Sequence, residues 1–235
     1  MRNLTATLCL TIAVLLGSVG VSVSADFQRG MTAYKSSDFA TVLREWKPLA
    51  QQGNSVAQSG LGVMYRNGLG VSKSNKTALK WFRLAAKQGY AYAQYALGVM
   101  YAKGEGVPKN DKTAVKWYKL AAEQGLANAQ YNLGLMYQNG EGVPKNNKTA
   151  VKWYRLAAEQ GNAKSQGNLG MKYAFGLGVL KDYIRAHMWG NLAAMNGNKL
   201  GAKLRDDFEK KMTPADISIA QKLARECVRK KYKGC

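Results

Sequence analysis

From residue 55 onward, apolar and polar positions follow a pattern that repeats every 36 residues. Leu-Gly-Val-Met-Tyr stands at 61–65 and 97–101, Leu-Gly-Leu-Met-Tyr at 133–137, and a degraded copy, Leu-Gly-Met-Lys-Tyr, at 169–173. The same interval separates four tryptophans, four Gly-x-Gly-Val segments and four Ala-Ala-x-x-Gly segments. Self-similarity at a fixed period of this length is typical of proteins built from stacked helical repeats.

Each unit is predicted to form two helices, which we call helix A and helix B. In the unit 91–126, the apolar residues of helix A share one face, and Gly104 and Pro108 end the helix. Helix B is predicted to begin near Asp111, with Asn75 and Asn147 as the matching capping residues of the neighbouring units. Its predicted buried stripe comprises Ala114, Trp117, Tyr118, Ala121 and Ala122. We expect tryptophan to fill the space between units.

The repeats define the organisation of the chain. We predict four units at 55–90, 91–126, 127–162 and 163–198, preceded by a divergent helical hairpin at 26–54 and followed by a helical cap at 199–235. In helix B of the last unit, a stripe that is charged in the preceding unit becomes largely apolar. Because repeat arrays need a capped end to stay soluble, the residues after 198 are predicted to cover this stripe.

Residues 1–25 have the features of a secretory signal peptide. Arg2 precedes an apolar run from Leu8 to Val21, and the small-x-small pattern at 23–25 places cleavage before Asp26. A membrane anchor is the alternative, but the run is shorter than the ~20 residues that a spanning helix needs. No other segment has the apolar length to span a bilayer, so we expect an exported product, periplasmic first and secreted second.

Charge and cysteine content add to this picture. The 35 Lys and Arg residues outnumber the 14 Asp and Glu residues, which gives a formal charge of +21, while 46% hydrophobic residues exclude a disordered polymer. Cys227 and Cys235 remain after removal of the predicted leader. In an oxidising compartment they are predicted to form a disulfide, which the chain-entropy model credits with at most about 2.6 kcal/mol. Two free thiols are the alternative.

The repeated blocks resemble those of the Sel-one-like repeat family, relatives of the TPR, over residues 55–198. The resemblance implies an all-α fold, a right-handed α-α solenoid of 36-residue helix-turn-helix repeats with a C-terminal capping helix. It also implies adaptor or scaffold work, in which proteins or peptides bind along a curved surface in bacterial envelopes or at host contacts. Some relatives in pathogens are linked to β-lactam binding, but the cysteine pair that they carry in each repeat is missing here.

The sequence offers little for catalysis. The single histidine, His187, occupies the slot of Leu79, Val115 and Val151 and is expected to be a partly buried substitution. No Ser or Cys nucleophile has a base in its motif, and the Gly-x-Gly-Val turns lack the Lys-Ser/Thr of a phosphate-binding loop. We therefore predict no catalytic, cofactor-binding or metal site. A β-lactamase-like hydrolase is the most distant alternative.

Basic residues recur along one face of helix B. They are Lys76, Lys80, Arg83, Lys112, Lys116, Lys119, Lys148, Lys152 and Arg155. One interpretation is the solvated face of a soluble protein. The other is a basic band that binds envelope polyanions such as lipopolysaccharide or anionic lipid headgroups. Nucleic acid is not expected as a partner, because export separates the chain from it.

Helix A offers a second surface, because some of its positions vary among otherwise copied units. The predicted partner-binding residues are Tyr92, Tyr95, Tyr131, Asn128 and Gln138, types that suit adaptable peptide recognition. Glutamine repeats unchanged at 58, 94, 130 and 166, which indicates either hydrogen bonding between units or part of a groove. We expect a non-catalytic scaffold that binds an unidentified protein or peptide on the concave face formed by helix A, with polyanion binding as the alternative.

Overall fold

The computed structural model describes residues 25–235, so the predicted signal peptide, apart from its last residue, lies outside the described residues. The described chain contains twelve helices and no strand, which confirms the all-α prediction. It falls into two compact units, residues 25–93 and 94–235. The helices are α1 (25–35), α2 (Phe39–Gln51), α3 (Ser55–Asn67), α4 (Asn75–Lys87), α5 (Ala91–Lys103), α6 (Asp111–Glu123), α7 (Ala127–Asn139), α8 (Asn147–Ala158), α9 (Ala163–Phe175), α10 (Tyr183–Met195), α11 (Lys199–Glu209) and α12 (Pro214–Arg229).

Glycine ends helix A as the sequence predicts. Gly68, Gly140 and Gly176 adopt the left-handed conformation, with φ of 75°, 77° and 66°, directly after α3, α7 and α9. A residue with a Cβ would be strained there, whereas glycine is not. The predicted caps of helix B are wrong by one residue. Ser74, Asn110 and Asn146 accept the capping bonds, because only the residue before the first helical turn has the extended backbone that directs its side chain onto the free amides.

The first unit packs around one tryptophan. Trp46 of α2 is buried and stacks between the rings of Phe27 and Tyr34, with centroid distances of 5.6 and 5.8 Å. Its indole nitrogen donates to the Phe27 carbonyl oxygen at 3.3 Å. Gly30 and Gly60 lie so close to the indole that a Cβ on either would fall within 2.4 Å of it. The short N-terminal hairpin therefore has its own aromatic core.

In repeats 91–126 and 127–162, the buried aromatic residue of helix B is the tyrosine that follows its tryptophan. In the last repeat Trp189 itself is 1% exposed. In the two repeats before it, Trp117 and Trp153 are half-buried, and Trp153 packs against the apolar cluster that joins repeats 91–126 and 127–162, whereas Tyr118 and Tyr154 are 3% and 0% exposed. The cause lies in helix A: a Cβ on Gly134 would come within 2.6 Å of the Tyr154 ring. The missing side chain leaves a shallow seat, and the ring of the next helix B occupies it.

A ladder of side-chain amides joins successive helices, and we call it the glutamine ladder. In the second unit, Gln130 Nε2 donates to the Ala122 carbonyl oxygen at the end of α6 (3.1 Å), and Gln130 Oε1 accepts from Gln160 Nε2 beyond α8 (2.8 Å). The next rung repeats this pattern, since Gln166 bonds to the Ala158 carbonyl and to Asn196. The repeated glutamines therefore serve packing between units, which is the first of the two interpretations drawn from the sequence.

The C-terminal helices cover the last repeat. Helix α10 packs against α9, α11 and α12, and Met188 from its apolar stripe is buried, although Met195 at its end remains 61% exposed. His187 is fully buried rather than partly buried as expected. Its Nε2 lies 2.7 Å from Glu209 Oε1 of α11, and this polar contact is what allows a histidine in a slot that is apolar elsewhere.

The chain ends in a closed loop. Cys227, buried in α12, and Cys235 are bonded, with Cα atoms 5.6 Å apart. Between them, the Tyr232 hydroxyl donates to Asn196 Oδ1 at 3.2 Å. The C-terminal segment is thus held against the end of the glutamine ladder.

Candidate functional site

The predicted partner-binding residues separate into distinct environments. Tyr92 is 44% exposed and belongs to the first unit, whereas Tyr95 and Tyr131 are half-buried in the second. Asn128 is exposed and its Oδ1 accepts from Asn162 Nδ2 at 3.3 Å. Gln138 Oε1 accepts from a buried tyrosine hydroxyl. The five predicted residues therefore differ in burial and in the hydrogen bonds that they form.

Two of the predicted residues support the core. The Tyr131 ring lies 6.1 Å from the Tyr154 ring, and the Tyr154 hydroxyl donates to Gln138 Oε1 at 3.1 Å. Burial raises the pKa of both tyrosine hydroxyls, and the shift is larger for Tyr154. Both rings remain neutral at neutral pH, and Gln138 satisfies the hydroxyl that Tyr154 carries into the interior.

Tyr95 packs against the core in the same way, with its ring 6.1 Å from the Tyr118 ring, and it also lines a groove between α5 and α7, which we call the α5–α7 groove. It has a volume of about 350 Å³. Its lining residues are Tyr95, Val99, Ala102, Lys103, Tyr118, Asn132, Leu135, Met136, Asn139 and Glu141. All of them lie in the second unit, and the α5 and α7 residues among them come from helix A of two consecutive repeats. A cavity of this size suits a side chain of a bound segment and the backbone around it.

The groove combines an aromatic wall with amides. The Tyr95 ring lies 6.1 Å from the buried Tyr118 ring, and the partly exposed Ala102 and Leu135 supply apolar surface above the buried Val99 and Met136. Asn132 contributes an amide that can both donate and accept. Such an amide can pair with the backbone of an extended segment, while the aromatic wall holds an apolar side chain.

Opposite charges stand at the rim of the groove. Lys103 Nζ lies 3.9 Å from Glu105 Oε1, and Asn139 Nδ2 donates to Glu141 Oε1 at 3.0 Å. The rim therefore carries both signs of charge within the groove lining, Lys103 on one helix and Glu141 after the other. A polyanionic ligand would meet the carboxylate of Glu141 as well as the amine of Lys103.

The nine residues of the predicted basic band are all exposed. Lys76, Lys80 and Arg83 lie on α4 of the first unit, and the other six lie on α6 and α8 of the second. Lys119 pairs with Glu123 at 3.8 Å, and Arg155 donates to the Tyr173 hydroxyl at 2.8 Å. Each unit therefore presents cations on the solvent face of helix B.

One lysine is buried. Lys172 of α9 stands where the other repeats carry methionine, is only 4% exposed, and donates from Nζ to Asn147 Oδ1 at 2.9 Å. Burial lowers the pKa of its amine, and the charge of Lys145 adds to the effect. No carboxylate forms an ion pair with it among residues 25–235, so the fold keeps a cation in an environment that disfavours charge.

Sequence reasoning missed most of the α5–α7 groove. Asn132, Leu135 and Asn139 were not among the predicted residues, although they vary among the units as Tyr95 does. The useful signal is the slot occupied by Arg66, Ala102, Gln138 and Ala174 in successive repeats. At Ala102 the small side chain leaves room beside α7, and that room is the groove.

No three His, Cys, Asp or Glu side chains among residues 25–235 are grouped so that they could hold a metal ion. None of the helices in the same range has the length and apolar content that crossing a bilayer requires.

The comparison with protein families decides the classification. The model of the Sel1 repeat matches four consecutive segments, residues 55–90, 91–126, 127–162 and 163–198. The chain belongs to the Sel1 repeat family. The resemblance drawn from its sequence is thereby confirmed. No curated protein matches the chain.

Two solved structures place this Sel1 repeat chain among its relatives. A Sel1 repeat protein from Oxalobacter formigenes is 38% identical, with a TM-score of 0.72 over 76% of this chain and 73% of that chain. The c5321 protein, a protective antigen present in uropathogenic Escherichia coli strains that displays an SLR fold, is 30% identical with a TM-score of 0.59. That match covers 92% of this chain and 56% of the antigen. Sel1 repeat solenoids are generally non-catalytic scaffolds for protein interactions.

Proposed function

We propose that this Sel1 repeat chain is an exported, non-catalytic scaffold that binds a segment of a partner protein or peptide in the α5–α7 groove. The observation that carries the proposal is the groove itself, an aromatic and apolar channel of about 350 Å³ bordered by the amides of Asn132 and Asn139. The proposed site is smaller than the one predicted from the sequence on the concave face. Tyr95 lines the groove, whereas Tyr131 and Gln138 lie outside its lining.

The lining chemistry supports a peptide rather than a reactive substrate. The walls are rings, aliphatic groups and amides, and the two charged residues at the rim, Lys103 and Glu141, lie on different segments. Amides bind the backbone of an extended chain, and the apolar wall accepts one large side chain. The salt dependence of such binding is weak, because desolvated apolar contact is not screened by ions.

The partner is identified by site-directed photo-crosslinking. A photoreactive phenylalanine analogue replaces Asn132 in the full-length protein, the intact envelope is irradiated, and the crosslinked segment is sequenced by mass spectrometry. The segment is then synthesised and its affinity is measured by calorimetry. We expect a segment with a large apolar residue whose affinity changes less than threefold between about 50 and about 300 mM salt.

Matched variants test the site. Ala102→Arg places in the groove the side chain that the first repeat carries at Arg66, so the fold accepts it at that register. We expect at least a tenfold loss of affinity, because the arginine occupies the channel. Leu120→Arg introduces the same side chain at an exposed position of α6 outside the groove and should change the affinity less than twofold. Equal effects of the two variants, or none from Ala102→Arg, would refute the site.

Export is tested separately. Intact mass and N-terminal sequencing of the processed protein should show a chain that begins at Asp26, and fractionation should place it in the periplasm. A chain recovered from the cytoplasm with Met1 intact would refute export and would leave the proposed groove site untested by this experiment.

A further inference from the structure

We propose that the second unit also carries a docking surface for an anionic phospholipid bilayer, formed by the cations of α8 and an exposed apolar loop between α9 and α10. This surface is independent of the α5–α7 groove. The inference rests on two observations. Large apolar side chains are exposed at one loop, and the cations beside that loop lack carboxylate partners.

The first observation concerns residues 175–180, which we call the apolar loop. Phe175, Leu177 and Leu180 are 63%, 42% and 90% exposed. In the preceding repeat the equivalent residues are Asn139, Glu141 and Pro144, and one repeat earlier they are Lys103, Glu105 and Pro108. Exposed apolar side chains clustered on one turn, at positions that are polar or proline in the two preceding repeats, mark an interaction surface.

The second observation concerns the helix beside the loop. Lys148, Lys152 and Arg155 of α8 line a groove of about 490 Å³ together with Val151, Leu156, Glu159, Gly178 and Val179. None of the three cations forms an ion pair with a carboxylate of residues 25–235, and Arg155 is oriented by the Tyr173 hydroxyl. Their spacing places them on one face of α8 within about 10.5 Å along its axis.

The backbone of the apolar loop packs directly against the helix that carries the cations. Gly178, in the middle of the apolar loop, lies close to the first turn of α8. A Cβ at Gly178 would come within 2.7 Å of the backbone nitrogen of Lys148. Val179 lines the cationic groove, and the adjacent Leu180 is the most exposed large apolar residue of the described chain. Leucines and a phenylalanine thus project next to a row of cations.

This combination fits the interface of a bilayer. Apolar side chains enter the boundary between headgroups and acyl chains, and neighbouring Lys and Arg bind lipid phosphates. The single carboxylate, Glu159, stands against three cations, so the surface selects anionic over zwitterionic lipid. A protein partner would need a complementary acidic and apolar face, and that alternative is an outcome of the test below.

The test measures partitioning of the processed protein onto phosphatidylglycerol–phosphatidylcholine vesicles and onto pure phosphatidylcholine vesicles. Lys148→Gln with Lys152→Gln should weaken binding to the anionic vesicles about 30-fold, because each cation near such a surface contributes roughly fivefold. Lys199→Gln with Lys222→Gln removes the same charge from exposed positions on α11 and α12 and is the matched control. It should change binding less than threefold.

The loop is tested with residues that the fold already uses. Phe175→Asn with Leu180→Pro copies the equivalent positions of the preceding repeat without changing charge, and should weaken binding about tenfold or more. In Leu180→Trp, brominated lipid should quench the new tryptophan only on anionic vesicles, and soluble glycerol phosphate should not compete. Binding without quenching, equal losses in the charge variant and its control, or retention of wild-type binding by the loop variant would each overturn the proposal. So would binding to an acidic protein but to no vesicle.

Discussion

The glutamine ladder gives a quantitative test of what joins the repeats. Gln130 is 4% exposed, donates to the Ala122 carbonyl oxygen at 3.1 Å and accepts from Gln160 at 2.8 Å. Gln130→Met keeps the length of the side chain and removes both hydrogen bonds. Because an intramolecular hydrogen bond contributes about 1 kcal/mol net, the variant should lose about 2 kcal/mol of unfolding free energy.

The structure also bounds the loss from above. The Ala122 oxygen keeps its bond from the Gly125 amide at 3.0 Å, and the Gln160 side chain is exposed to water, so neither becomes a buried group without a partner. The additional penalty for an unpaired buried group, about 1–3 kcal/mol, is therefore not expected. A loss of about 2 kcal/mol corresponds to a fall in melting temperature of roughly 4–8 °C for a protein of this size.

Urea and thermal unfolding followed by circular dichroism measure the effect. Gln160→Met is the partner variant. It removes the bond to Gln130 and a 3.3 Å bond from Gln160 Nε2 to the Leu156 carbonyl oxygen, and it leaves the buried Gln130 Oε1 without this donor, so it should cost about 1–3 kcal/mol. The double variant should then show a coupling of about 1 kcal/mol between the two positions. The reasoning is refuted if the double variant shows no coupling, or if methionine at 130 stabilises the chain.

Two further predictions concern the interior of the second unit. Gly134→Ala should lose about 1–3 kcal/mol of unfolding free energy despite the better helix propensity of alanine, because its Cβ would lie 2.6 Å from the Tyr154 ring. Gly167→Ala is the control, because the closest neighbour of its Cβ would be a side-chain amide at 3.3 Å. Its unfolding free energy in urea should stay within about 1 kcal/mol of wild type. Equal effects of the two glycine variants would argue against the aromatic seat. Lys172 has a lowered pKa, so the unfolded state binds more protons, and the wild-type protein should gain stability relative to Lys172→Met as pH rises toward 10.5. Parallel stability curves for the two proteins between neutral pH and pH 10.5 would show that the amine is not disfavoured as a cation.

The local architecture follows from short-range signals. Glycine and proline end helix A at the predicted places, because their backbone restrictions act within a few residues. The capping residue was misplaced because Asn110 and Asp111 are both good caps, and only the dihedral angles distinguish them. The choice between Trp117 and Tyr118 as interior ring depends on a glycine in another helix. A helical stripe cannot carry that information.

The candidate site was predictable only in part. Variation among copied units pointed to Tyr95 and also to Tyr131, but only one of them lines the α5–α7 groove. The sequence places both on the same helical face and does not reveal that the ring of Tyr131 packs beside Tyr154, whose hydroxyl donates to Gln138. A channel between two repeats depends on missing volume, here at Ala102, and small residues occur in packed and open places alike.

Each glutamine of the ladder bonds only to neighbouring helices, and this has a consequence for how the number of repeats can change. Gln130 bonds only to the helix before it and to the end of the helix after it, and Gln166 does the same one period later. The hydrogen bonds of a rung do not depend on its distance from either terminus. Duplication or excision of a whole 36-residue period inside the array would leave every remaining amide with a partner of the right type. A change of any other size would put adjacent rungs out of register, so gene variants of this scaffold should differ by complete periods.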